Sequence, residues 1–298
     1  MTMLDDPPPE VATPDLEKKA ERAEGWRGFF TALPTYAYLI VFFVLPLIII
    51  VVFSFTERSR TGKPVLGEWT LEWWIKLGEP LVRTVAIRSL WLAFLNTLFC
   101  LLIGYPFAYW IATRKRAMTR NFLLVLVLIP FWSNFLVRTY AWRTLLDSNG
   151  LITEIGELTG LWGKMLFTEP AVFLGLLYGS LPFMVLPLYA AIEHLDWNLV
   201  EAARDLYAGA WKAFLKVTLP LSRPGIIAGS ILVFIPSLGA YVTPDLLGGA
   251  KTTLLGNYIV TQFKSGRNWP FGATLSVTIL AVMMVATVIY FRKGGRTL

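Results

Sequence analysis

EAARDLYAGAWKAFLKVTLPLSRPGI, residues 201–226, sets six charged residues into a chain that is otherwise mostly apolar. Residues 197–206 are rich in good helix formers, and Asp196 stands where an N-cap is expected. Residues 211–217 form a second helix-prone piece, with Ala and Gly between the two. Leu206, Trp211, Phe214 and Leu215 make apolar ridges, while Arg204, Lys212 and Lys216 belong to a solvated face. Pro220 and Pro224 follow at the start of the next apolar run, where a missing N–H costs least. An amphipathic pair of this kind lies flat on lipid, packs under its own bundle or docks a partner protein. What flanks the stretch decides between them.

The flanks are apolar. Hydrophobic residues make up 55% of the 298, charged residues only 16%, and mean hydropathy is +0.58, above that of a soluble domain. No charge occurs between Arg27 and Glu57, Arg88 and Arg114, Glu169 and Glu193, Arg223 and Asp245, or Arg267 and Arg292. Each run is long enough to cross a hydrocarbon core of about 30 Å as a helix. A shorter run, residues 121–137, ends at Arg138 near the lower limit of length. Six spans are expected, the third with the least defined ends.

Six spans put both termini on one side. The short segments TRKRAMTRN (113–121) and RKGGR (292–296) are dense in Lys and Arg, which assigns the termini and residues 193–223 to the cytoplasm. The net charge of +7 follows from that distribution and calls for no nucleic acid. The first run is too long for a signal-peptide core and follows the mixed-charge stretch DDPPPEVATPDLEKKAERAEG (5–25). That stretch reads as partly disordered, with a short helix near 16–24. The expected organisation is a cytoplasmic segment over 1–31, a six-helix domain over 32–292 with its loop at 193–223, and a tail over 293–298. The one cysteine, Cys100, lies inside the second span, so no intrachain disulfide forms.

With that topology in place, Glu201-Ala202-Ala203, followed sixteen residues later by Leu219-Pro220, resembles the EAA loop of binding-protein-dependent ABC importer permeases. The resemblance runs from about residue 35 to 292 and narrows to the polyamine (spermidine/putrescine) permeases. It is carried by IPFWSNFLVRTYAWRTLL (129–146), SLPFMVLPLYAAI (180–192), IAGSILVFIPSLGAYVTPDLLGG (227–249) and RNWPFGATLSV (267–277). It implies an all-α membrane protein with the six-helix bundle of a type I importer, in a bacterial inner membrane. It also implies coupling through Glu201, Ala202, Ala203, Asp205, Tyr207, Gly209, Leu219 and Pro220. The implied partners are a second permease, two ATPase subunits that bind ATP and Mg, an external solute-binding protein and lipid. This chain itself then holds no cofactor and no catalytic residue.

The sequence departs from the family pattern twice. Tyr207 stands where Gly is usual, at a left-handed turn cheap only for Gly, and Gly209 is expected to take over that turn. Ala240 follows SLG where the polyamine permeases often carry Glu, and Asp245 is the nearest carboxylate beyond it.

Trp132, Asn134, Tyr140, Tyr178, Tyr241 and Asp245 are the candidates for a translocation path, since aromatic faces attract ammonium groups at about 0.5–2 kcal/mol each. The bland alternative for any one aromatic is ordinary packing. Arg138 either faces a cavity or snorkels to the headgroups. A buried guanidinium facing a cation route would repel the solute, so Arg138 is expected to turn away, bonded to carbonyls at a helix end or paired with an acid such as Asp147. GIIAG (225–229) has the spacing of close helix approach. LEWWIKL (71–77) reads as an amphipathic helix on the outer surface. Six prolines inside the spans (46, 106, 130, 182, 187 and 236) suit a bundle that moves.

GGAKTT (248–253) lacks the Gly that a phosphate loop needs directly before its Lys, so ATP binding by this chain is not expected. His194 stands without Cys or a second His, and reads as a helix-end residue rather than a metal ligand. Rival readings are a secondary transporter, which needs acids at mid-membrane, and an intramembrane enzyme, which needs His, paired Cys or paired carboxylates there. The charge-free runs supply neither. An importer permease for another small solute, such as an amino acid, an opine or an iron complex, is the nearer alternative.

Overall fold

The computed structural model describes residues 31–294, in two units, 1–52 and 53–298. Most of the expected segment 1–31, including its helix near 16–24, and residues 295–298 of the tail lie outside the described residues. The described part of the first unit lies in helix α1, Thr31–Phe53, which widens into a π turn at Ile40–Val44 just before Pro46. A proline cannot donate to the carbonyl one turn back, and the wider turn accommodates that gap.

The second unit is organised around three helices: α3 (Pro80–Ala112), α7 (Glu169–Glu193) and α10 (Arg223–Leu238). These pack on one another more extensively than any other elements. Their common point is Met184 of α7, fully buried, where Gly104 and Gly229 bring in the backbones of α3 and α10. A methyl group on Gly229 would lie 2.8 Å from the Met184 sulfur, and one on Gly225 would lie 2.7 Å from the Pro187 carbonyl. The GIIAG spacing therefore serves contact within the chain, with α10 seated on α7. Cys100, Ala108, Ile111, Leu188, Ile192 and Val233 fill the same core.

α3 sets the polarity of the bundle. Near its N-terminal end, Ser89 Oγ accepts from Leu255 N of α11 (Leu255–Phe263) at 2.8 Å, and Arg88 pairs with Glu169 at 3.1 Å. Its C-terminal end meets the stretch on which the sequence reading began. Beside α11 lie a two-stranded antiparallel hairpin, β1 (Thr56–Arg58) and β2 (Pro64–Trp69), and the start of α12 (Trp269–Gly294). Arg58 donates to the carbonyls of Arg267 and Gly266 at 3.0 and 3.2 Å, and Trp269 N donates to Gly62 O at 3.1 Å. The LEWWIKL segment forms only a short helix, α2 (Glu72–Lys76). Its Trp73 is buried against Phe271 and donates to Thr56 O, and Trp74 stacks on Phe55. The two indoles bind this corner together.

Among the described residues four helices are long and apolar enough to cross a membrane alone, and two bent pairs bring the total to six if each pair is one span. The third span differs from expectation. α4 (Ala117–Trp132) stops at sixteen residues, the chain breaks at Ser133–Asn134, and the stretch Phe135–Thr159, which opens with α5 (Phe135–Leu146), leaves at 88°. The uncharged run 121–137 thus contains a corner. Pro130 withdraws one N–H before the break, and Asn134 caps α5 by accepting from Leu136 N at 2.8 Å. α5 leads into the short α6 (Leu151–Thr159). The other pair, α9 (Ala210–Leu221) and α10, bends by 64° at Ser222.

Candidate functional site: the loop at 193–223 and the central cavity

α8 (Trp197–Asp205) begins as the sequence suggests, with Asp196 Oδ1 accepting from Asn198 N at 3.0 Å. It ends unexpectedly. Tyr207 N donates to Arg204 O at 2.9 Å and Ala208 N donates to Ala203 O at 3.1 Å, the paired bonds of a Schellman cap. The left-handed residue of that cap is Tyr207 itself, at φ 59°. Gly209, expected to take the turn, has φ −58° and ψ 157° and is the N-cap of α9. Bond spacing explains the correction, because the residue after the helix must turn left for both bonds to close. A non-glycine side chain pays about 1–2 kcal/mol there. Tyr207 pays it while keeping its ring in solvent, 98% exposed.

Glu201, Ala202, Asp205, Tyr207 and Gly209 all lie on the exposed surface, as do Leu206 (82% exposed) and Trp211. Ala203, Leu219 and Pro220 do not share that surface: all three are half-buried, and Leu219 packs against the core. The inner side of the loop is fastened to the C-terminal end of α3. Phe214 meets the rings of Tyr105 and Tyr109 edge-on at 5.6 and 6.0 Å, and Trp197 meets Tyr109 at 6.2 Å. Tyr105 and Ser222 share a buried hydrogen bond of 2.8 Å at the α9–α10 bend. Glu193, at the end of α7, pairs with Arg120 of α4 at 3.0 Å. His194 is the C-cap of α7, as its helix-end reading required, and no cluster of three His, Cys, Asp or Glu occurs among the described residues.

At the α4–α5 corner a cavity of about 440 Å³ opens between α5, α7 and α10. Phe131, Phe183, Ser180, Ser237 and Tyr241 line it, with Arg138 as the one charged residue on its wall among the described residues. Ala240, the departure from the family pattern, is also on that wall. Arg138 Nη1 donates to Pro130 O at 2.7 Å, and the guanidinium lies over the rings of Phe131 and Phe135 at 5.5 and 6.0 Å. It thereby bonds a carbonyl at the broken end of α4, one of the two partners expected for it. It is not turned away as expected, since it stands on the cavity wall. Asp147, the acid suggested as its partner, instead accepts from Ser148 N.

Of the six path candidates, Tyr241 lines this cavity; its hydroxyl accepts from Lys264 at 3.4 Å. Tyr178 lines a neighbouring cavity of about 330 Å³ and meets Trp142 edge-on at 5.4 Å. Trp132 is 84% exposed, Tyr140 and Asp245 are exposed, and Asn134 is committed to its cap. The six do not converge. The sequence reading missed Ser180, Ser237, Phe131 and Phe183 as wall residues. SLP (180–182) and PSL (236–238) mark them in hindsight, as small hydroxyls beside prolines inside apolar spans.

Residues 104–293 match the family model described as "Binding-protein-dependent transport system inner membrane component". The spermidine/putrescine transport system permease protein PotB of Escherichia coli (strain K12) is 42% identical over 260 residues, covering 86% of this chain and 94% of that protein. PotB of Haemophilus influenzae is 41% identical over 262 residues, covering 87% and 91%. The inner membrane ABC transporter permease protein YdcU of Escherichia coli is 32% identical over 231 residues, 73% of each chain. Among solved structures, a bacterial alginate ABC transporter in complex with an alginate pentasaccharide-bound periplasmic protein aligns at TM-score 0.75 and 17% identity. That alignment covers 93% of this chain and 98% of the other. The likeness is one of fold. Sequence and architecture together make this multi-pass membrane chain a member of the binding-protein-dependent transport system inner membrane component family.

Proposed function

We propose that this chain is one permease half of an ABC importer for a di- or polyamine, coupled through the α8–α9 loop to a cytoplasmic ATPase. The observation that carries the coupling role is the contrast within the loop. Glu201, Leu206, Tyr207 and Trp211 are presented outward, while Phe214 and Trp197 fix the same loop to α3. A push on the tip is thus delivered to α3 and α10. Both termini and this loop face the cytoplasm. A second permease completes the pathway, an external binding protein delivers the solute, and two ATPase subunits hold ATP and Mg.

The amine reading is supported by relatives at about 42% identity that bear spermidine/putrescine names. The cavity wall fits it in part, offering aromatic faces and hydroxyls to ammonium groups. One observation favours a second reading: among the described residues the wall carries Arg138 and no carboxylate, which suits an amino acid or a small anionic solute.

Two experiments test these statements. In the complex purified from its native membrane, Glu201→Ala and Ala203→Asp are expected to abolish most of the ATP hydrolysis stimulated by loaded binding protein, with the permease still inserted. Normal stimulation in both would remove the docking assignment. Uptake of radiolabelled putrescine or spermidine should be blocked by unlabelled polyamines; blockage by neutral amino acids or sugars instead would discard the amine reading and leave the importer standing.

A further inference from the structure

Asn96, on α3, is fully buried, and its amide nitrogen reaches both neighbouring spans. It donates to Ser180 Oγ of α7 at 3.1 Å and to Ser237 Oγ of α10 at 2.8 Å. The Cys100 thiol, one turn along, lies 3.9 Å from Asn96 Oδ1 and 3.8 Å from Leu177 O. Both serines line the large cavity, whereas Asn96 stands behind them.

The two hydroxyls are not equivalent. Ser237 passes its proton to Val233 O at 2.6 Å, the bond to the carbonyl one turn back that Ser89, Thr97 and Ser276 also make. Ser180 makes no such bond; among the described residues its hydroxyl only accepts, from Asn96. A hydroxyl has one proton and two lone pairs, and Asn96 occupies one of those pairs. Ser180 therefore retains a proton and a lone pair for whatever enters the cavity. Turning its proton to Leu176 O, the bond Ser237 already makes in its own helix, would present the remaining lone pair to an N–H of a solute. Exposure separates them too: Ser237 is 2% exposed, while Ser180 is half-buried.

We propose that Asn96 is a positioning residue for transport, holding the Ser180 hydroxyl on the cavity wall as a hydrogen-bonding contact for an alkylammonium group in transit. The proposal rests on the amine reading of the cavity given above. It assigns the buried amide a task beyond tying three spans together, because only one arm of the tie ends on a group still free to bind.

That asymmetry supplies the test. Ser180→Ala and Ser237→Ala each remove one bond to Asn96, so a purely structural tie predicts the same consequence for both. The intact complex with its ATPase and binding protein is reconstituted in vesicles, and diamine or triamine delivered per ATP hydrolysed is measured beside the thermal midpoint. Ser180→Ala is expected to lower amine delivered per ATP at least about tenfold, the low end for one lost hydrogen bond to a charged group. Asn96→Leu should lower it in the same direction by less. Ser237→Ala should lower the thermal midpoint as Ser180→Ala does, yet lower delivery clearly less than Ser180→Ala, its oxygen being buried and its proton held by Val233 O. Equal losses of delivery in the two serine variants, or parental delivery in Ser180→Ala, would overturn the proposal. A parent complex that delivers no di- or triamine would overturn the amine reading first, and this proposal with it.

Discussion

The α8–α9 loop and the central cavity are built in opposite ways. The loop is local: its cap, its left-handed turn and its second N-cap all fall between Asp196 and Gly209, closed by bonds of two to five residues' reach. The cavity is assembled from α4, α5, α7 and α10, and from the segment beyond α10, so that no one stretch of chain contains its chemistry. A local device can be recognised from a few residues in a row. A distributed one depends on where each helix stops, which here means the corner at Ser133–Asn134.

The largest effect should come from cutting the loop's attachment. Phe214→Ala removes the edge contacts to Tyr105 and Tyr109, a loss of about 3 kcal/mol or more for an aromatic truncated against a core. Stimulation of ATP hydrolysis by loaded binding protein is expected to fall at least about tenfold while the chain still inserts. Retained stimulation would show that the loop signals without this anchor, and would dissolve the contrast between fixed inner face and exposed tip.

Arg138→Gln probes the cavity's corner. It removes a charge-assisted bond to Pro130 O worth about 1.5–3 kcal/mol. For a chain of this size that corresponds to a thermal midpoint lower by about 3–12 °C. The preference between solutes should change less than the stability. A reversed preference at unchanged stability would instead make the guanidinium a contact for the solute and favour the anionic reading.

The smallest effect sharpens the description of the turn. Tyr207→Gly relieves the left-handed backbone by about 1 kcal/mol but deletes the exposed ring. Amide exchange at Ala208 should stay as slow as in the parent or become slower, while docking of the ATPase weakens. Tyr207→Val should quicken exchange at the same amide. Equal exchange in all three chains would mean that the cap does not hold the turn.

The record of sequence against structure follows the same division. Charge-free runs located the spans because a charge in hydrocarbon is costly wherever it falls. Asp196 was legible as a cap because a side-chain acceptor is needed at that position. The turn at Tyr207 was not, since propensity assigns a left-handed residue to Gly, and only the bond spacing from Ala203 and Arg204 overrides it. Uncharged residues 121–137 looked continuous because hydropathy is blind to direction. Pro130 followed by Ser133-Asn134 was the available sign of a break. The wall of the cavity was the least legible part. Ser180 and Ser237 lie 84 and 141 residues from Asn96 along the chain, and nothing near any one of the three announces the other two.

The shortness of α4 has a consequence for the lipid around it. Sixteen residues rise about 24 Å along a helix axis, some 6 Å less than an ordinary hydrocarbon core, and tilt only widens the deficit. Beyond Trp132 the chain turns aside with the polar groups of Ser133 and Asn134, which hydrocarbon will not solvate. Such a corner is accommodated where the bilayer thins, where headgroups and water descend to meet it, or where protein covers it. In the first two cases hydration reaches the rim of the cavity, and the path over which a charged solute travels stripped of water is shorter than the membrane it crosses.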